Sequence, residues 1–210
     1  LLSHARFRRP LIIAVLLMAF SQFSGINAIM YYSTEIFTTA HVGVKDSFTA
    51  STVIGLVNLL FTFVAIALVD KAGRRPLLLT GLTAQVIALG CAGWMFHTNA
   101  SGFGLLASIV AFIAAFAMAL GPIPWILCSE IFPMRIRGRA MSVATFVIWI
   151  SCYIVARTFP MLNSSPKIGP AVTFWIYGLC SALAFIFVFT MVPETKGRTL
   201  EEIEMETLKR

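Results

Sequence analysis

Charge is what this chain of 210 residues has least of. Asp, Glu, Lys and Arg make up 12% of it against 59% hydrophobic residues, mean hydropathy is +0.88, and from Pro76 to Ser129 there is no charged side chain at all. Soluble domains carry about 25% charged residues, so a water-soluble enzyme is excluded. Long uncharged runs between short charged clusters are what a bundle of membrane-spanning helices requires. Metal and redox patterns are missing too. Cys91, Cys128, Cys152 and Cys180 stand singly in apolar runs, with no CxxC and no neighbouring His, and are expected to be small packing residues. No cofactor is expected. No initiator Met precedes Leu1, and the uncharged stretch from Pro10 to Thr34 is too long for the core of a signal peptide. The first apolar run is therefore expected to be a retained span in a chain truncated upstream. The net charge of +7 is scattered between apolar runs and makes no continuous basic face, which argues against a nucleic-acid partner.

What is present predicts an all-α membrane protein. Uncharged runs bounded by charge or turn residues mark six spans, at about 10–34, 47–69, 76–96, 104–128, 140–162 and 168–192. The uncharged stretch from Pro76 to Ser129 must fold back, and the polar cluster from His97 to Gly102 is the expected turn. Residues 1–9 then form the end of a cytoplasmic linker, 10–192 a six-helix transmembrane bundle in the lipid bilayer, and 193–210 a cytoplasmic tail. In that tail Thr199 and Glu202 have the spacing of a capping box, which predicts a short helix.

The sixteen Lys and Arg test this topology. Thirteen fall on one side: Arg6, Arg8 and Arg9; Lys71, Arg74 and Arg75; Arg135, Arg137 and Arg139; and Lys196, Arg198, Lys209 and Arg210. Only Lys45, Arg157 and Lys167 fall on the other. The excess predicts that both termini and the basic loops are cytoplasmic. The two basic loops between spans also echo each other, each beginning with an acid (Asp70, Glu130) and ending in an Arg cluster. Topology needs only the bases. The acids read either as fixed surface pairs or as ion-pair partners that hold helix ends together in one conformation and release them in another.

Polar groups within the spans point to a solute. Span one carries Ser21, Gln22, Ser24, Gly25 and Asn27 about halfway along its uncharged run. On an unbroken helix Gln22 and Asn27 would lie about 140° apart, whereas unwinding at Gly25 would bring them together. Span four holds Gly121, Pro122, Ile123 and Pro124 followed by Trp125, and two prolines so close must break or bend the helix. Span two adds Asn58 and span five adds Trp149. Two readings stay open: amides that glue helices together, or amides and indoles around a neutral polyol, whose hydroxyls donate and accept while its apolar face lies on a ring. A channel would want a ring of like polar groups, and an intramembrane enzyme a Ser–His pair or two carboxylates within the spans. Both remain as alternatives of a different class.

Five motifs, in order along the chain, closely resemble the sugar porter family of the major facilitator superfamily, which includes glucose facilitators and bacterial proton-linked sugar symporters. They are Gln22 to Ala28 with Tyr31 and Tyr32, Asp70 to Arg75, Gly121 to Trp125, Ser129 to Pro133 with Arg137 and Gly138, and Pro193 to Arg198. The resemblance implies the C-terminal six helices of a twelve-helix transporter in the plasma (cell inner) membrane. Its N-terminal half would be a missing partner. It implies monosaccharide transport by alternating access, as facilitator or proton symporter, with no enzymatic step. It implies that Gln22, Asn27, Asn58 and Trp125 contact or face the sugar, that Tyr31 and Tyr32 form an outer gate, and that Asp70, Arg74, Arg75, Glu130 and Arg137 form a cytoplasmic gate, with Glu194 in a second cytoplasmic motif. Two positions depart from the family pattern: Ser21 stands where a Gln is usual, and Ile148, just before Trp149, where an amide is usual. Both changes remove hydrogen-bond partners for a sugar, which leaves the preferred sugar open.

Overall fold

The computed structural model describes residues 5–39, 44–99 and 102–197. Its regular structure in these residues is α-helical: α1 (Ala5–Phe23), α2 (Ile26–Tyr31), α3 (Ser33–Thr39), α4 (Val44–Ala72), α5 (Arg74–His97), α6 (Gly102–Met118), α7 (Ile123–Glu130), α8 (Met134–Asn163) and α9 (Gly169–Met191). They supply six apolar segments long enough to cross a membrane, Phe7–Tyr31, Phe48–Ala72, Arg74–His97, Phe103–Glu130, Met134–Asn163 and Gly169–Met191. These agree with the six expected spans in number and order.

The ends differ from expectation in one direction. Charge clusters expected as loops are helix ends. The chain is helical from Ala5, so Arg8 and Arg9 precede no break, and α8 begins at Met134, with Arg135, Arg137 and Arg139 inside its first turns. Between α4 and α5 the connection is Gly73 alone. Long basic side chains can reach out of the apolar layer from a helix end, so a helix need not stop where charge starts. Gly73 has φ +92°, a conformation L side chains avoid, and a β-carbon there would stand 2.8 Å from Oε2 of Glu194. A second departure is α3, a short helix after a bend at Tyr32, in residues expected to end the first span. The tail helix expected from Thr199 lies outside the described residues.

Two spans are interrupted where the sequence indicated. Span one breaks between α1 and α2, where Gly25 takes a left-handed conformation (φ 87°, ψ 9°). Span four breaks between α6 and α7. There the N–H of Gly121 reaches back to the Phe116 carbonyl at 3.0 Å, and Pro122 and Pro124 cannot donate to the preceding turn.

In the bundle α5 packs along α6 and α9, α1 along α8, and α4 along α6. Phe112, Phe132, Phe159 and Phe174 are fully buried at its centre. Helices in lipid are held by close packing rather than by transfer from water, so these contacts carry the fold. By contrast, α4 lies at the edge, with Leu56, Leu59, Leu60, Phe63 and Ile66 exposed.

Candidate functional site

Both interruptions open onto one cavity. It has a volume of about 370 Å³ and is lined by Ser21, Gln22, Ile26, Asn27, Met30, Tyr31, Asn58, Phe116, Leu120, Gly121, Trp125, Ile148, Trp149 and Cys152. Every residue singled out from the sequence as sugar-facing (Gln22, Asn27, Asn58, Trp125, Trp149) is in this lining. The break at Gly25 is what joins the two amides. Gln22 lies in the last turn of α1 and Asn27 in the first turn of α2, and Nδ2 of Asn27 donates to Oε1 of Gln22 at 2.6 Å. A continuous helix would hold those side chains apart. Gln22 is buried, and its Nε2 lies 3.4 Å from the Ser21 hydroxyl. Nδ2 of Asn27 also donates to Sγ of Cys152 at 3.1 Å. Trp125 and Trp149 are exposed in part, at 38% and 65%.

The two tyrosines separate. Tyr31 stands exposed at the cavity, whereas Tyr32 is turned away: its hydroxyl donates to the Ala156 carbonyl at 3.3 Å and its ring stacks on Phe159 at 5.1 Å. The bend that starts α3 turns successive side chains in different directions.

At the far end of the bundle, a cluster of charge ties four segments together. Arg74 at the start of α5 donates to Oε1 of Glu130 from Nη2 at 2.7 Å and from Nε at 3.2 Å, and pairs with Asp70 at 3.1 Å. The Glu130 carboxylate is completed by the Thr195 hydroxyl at 2.6 Å. Asp70 is the outlying partner, since its side chain is 80% exposed against 13% for Arg74. Glu194 makes no ion pair among the described residues. Instead it accepts the backbone N–H groups of Arg74 and Arg75 at 3.1 Å each, and those of Thr195 and Lys196 at 2.9 Å each. A carboxylate there satisfies donors that a helix start leaves unpaired and matches the positive end of its dipole.

Arg75 and Arg137 do not join the carboxylates. Nη2 of Arg75 donates to the Phe189 carbonyl at 2.6 Å with its guanidinium over the Phe189 ring, and Nε of Arg137 donates to the Phe132 carbonyl at 3.3 Å. The expected set of five paired charges is therefore Asp70, Arg74 and Glu130 here. Sequence reasoning missed Thr195, for which the neighbouring Glu194 and Lys196 give no chemical hint. It also missed Met30 and Cys152 as lining residues, because an apolar side chain facing a cavity looks like one facing a helix.

Comparison with known proteins places this geometry in a family. The family model described as "Sugar (and other) transporter" matches residues 1–206. The chain is 41% identical over 198 residues to the D-xylose-proton symporter of Escherichia coli (strain K12), covering 92% of this chain and 40% of that protein. It is 41% identical over 202 residues to the facilitated trehalose transporter Tret1 of Apis mellifera ligustica, covering 93% of this chain and 40% of that protein. Its fold superposes with a TM-score of 0.84, at 40% identity, on the major facilitator superfamily proton:xylose symporter XylE bound to 6-bromo-6-deoxy-D-glucose, covering 93% of this chain and 42% of that one. The chain thus spans about two fifths of the length of the relatives it matches.

Proposed function

This chain belongs to the sugar (and other) transporter family, within the major facilitator superfamily, and from that premise we propose that its six spans are the C-terminal half of a twelve-helix monosaccharide transporter working by alternating access in the plasma membrane. The observation that carries the proposal is the cavity at two broken helices, where Gln22 and Asn27 are brought together across Gly25. Irregular backbone at membrane depth is tolerated only beside protein or a water-filled space, and transporters bind substrate at such breaks. A volume of about 370 Å³ suits a small solute.

In the proposed cycle both termini are cytoplasmic. A monosaccharide enters from outside, the amides of Gln22, Asn27 and Asn58 replace water on its hydroxyls, and the indoles of Trp125 and Trp149 take its apolar face. Tyr31 closes over the outer side, and Tyr32 anchors the bend that carries it. Arg74, Glu130 and Asp70, with Glu194 capping α5, hold the cytoplasmic side shut until the occluded form is reached. Arg75 and Arg137 brace the neighbouring helix ends through carbonyls. Sugar drives the switch only by binding the occluded form better than either open form.

The test is uptake into proteoliposomes holding this chain together with the complementary six-helix half. Saturable uptake of a labelled sugar, blocked by excess unlabelled sugar, is the expected result. Flux that rises linearly without saturation would sink the proposal in favour of a channel. A pH gradient that drives accumulation would assign proton symport, and equilibration without accumulation would assign facilitated diffusion. Among the described residues the cavity lining holds no carboxylate, so in a symporter the proton would be carried outside this lining.

A further inference from the structure

The cavity is chemically two-sided. Its amides come from the first two spans: Gln22, Asn27 and Asn58. The wall built by α8 is Ile148, Trp149 and Cys152. Ile148 and Cys152 are four residues apart on one continuous helix and so share a face. The hydroxyl between them, Ser151, is buried outside the lining. Trp149 offers a ring and a single N–H donor. The Cys152 sulfur accepts from Asn27, and its thiol is only a weak donor.

Counting donors sharpens this. Both Nδ2 hydrogens of Asn27 are committed, one to Gln22 and one to Cys152, so Asn27 meets a solute with Oδ1 alone. Gln22 accepts from Asn27 with one lone pair of Oε1 and keeps the other, and with one Nε2 hydrogen directed to Ser21 it retains one N–H. The pair therefore presents two acceptor oxygens and one N–H donor side by side, the complement of a hydroxyl-bearing edge. Nothing comparable faces it from α8. A hydroxyl desolvated against Ile148 loses its water and gains no partner.

We infer, resting on the sugar-transport reading, that the preferred substrate is a deoxy sugar: its hydroxyl-bearing edge meets Gln22, Asn27 and Asn58, and the ring position facing α8 carries hydrogen or methyl in place of a hydroxyl. Ile148 is the residue that sets this preference. An apolar pocket wall discriminates against an added hydroxyl by a factor of up to about 100.

The test uses proteoliposomes holding this chain with its complementary half. The parent is whichever of D-glucose, D-galactose, D-xylose and L-arabinose is carried fastest, and the competitors are its monodeoxy analogues. One analogue is expected to compete about 10-fold better than the parent. Ile148→Gln, which puts an amide on the α8 wall, is expected to abolish the preference at that ring position alone, and Ile148→Val to retain it. The inference is overturned if every monodeoxy analogue competes worse than the parent, or if the preference survives Ile148→Gln. The wild-type series decides by itself should the Gln variant not assemble. Absence of uptake for all four parents would instead overturn the transport reading, and this inference with it.

Discussion

The backbone of Gly25 lies against the ring of Tyr177 so closely that a β-carbon there would stand 2.5 Å from the ring Cδ2. Two demands therefore meet at one residue: the left-handed turn that breaks span one, and contact with α9. An alanine would bear left-handed strain of about 1–2 kcal/mol and overpacking of about 1–3 kcal/mol. Gly25→Ala is expected to lower stability of the reconstituted protein by about 2–5 kcal/mol. Tyr177→Leu in the same chain is expected to recover the packing part and leave the backbone part. Thermal unfolding of the two single variants and the double variant measures both, and a Gly25→Ala protein as stable as the parent would remove the argument.

Gln22 is buried and its amide is held on one side by Asn27. In the proposed site, removing it leaves a substrate hydroxyl unpaired, at about 1–3 kcal/mol. Gln22→Ala is therefore expected to weaken sugar binding by roughly 5- to 150-fold. Asn58→Ala, which removes an amide on a different helix, should act in the same direction. Equilibrium titration of the reconstituted protein checks this, and an unchanged dissociation constant for Gln22→Ala would take that residue out of the site.

The Arg74–Glu130 contact is mostly sheltered, with side chains 13% and 26% exposed, and Glu130 also holds Thr195. Breaking it leaves a partly buried guanidinium without its best acceptor. If it holds the cytoplasmic side shut, Glu130→Gln must shift the equilibrium toward the inward-open form, by about 1.5–3 kcal/mol for a hydrogen bond to a charged group. Cysteine-accessibility labelling from the cytoplasmic side should rise in that variant. Arg75→Ala should move the same signal far less, because Arg75 contacts the Phe189 carbonyl and ring and no carboxylate. Equal labelling in the parent and Glu130→Gln would argue against the gate.

The six spans were legible because an uncharged run of more than about 20 residues has few places to go other than a bilayer. The breaks were legible for a local reason. Gln22 and Asn27 cannot meet on an intact helix, and Pro122 and Pro124 cannot sit in one. Helix ends were not legible, because Arg135, Arg137 and Arg139 mark the limit of the apolar layer and α8 runs past it. Nor was the work of Glu194, two of whose four backbone N–H partners, those of Arg74 and Arg75, lie more than a hundred residues away. A carboxylate bound to a main chain has no complementary side chain to betray it. The pairing of Asn27 with Cys152 was hidden in the same way, since it arises only where α2 and α8 meet.

Gln85 in α5 offers a test of the fold that owes nothing to transport. Its side chain is fully buried, and neither Nε2 nor Oε1 has a hydrogen-bond partner among the described residues. A buried amide left unsatisfied costs about 1–3 kcal/mol, whereas an apolar group of the same shape has no such penalty. Methionine has nearly the length and volume of glutamine and adapts readily to an existing space. Gln85→Met is therefore expected to raise stability by about 1–2 kcal/mol, with uptake and sugar affinity unchanged, because Gln85 does not line the cavity. Thermal unfolding with binding measured in parallel checks both halves. A loss of stability on this substitution would mean that the amide is in fact bonded, for instance through an internal water, and the accounting for this part of α5 would have to be reversed.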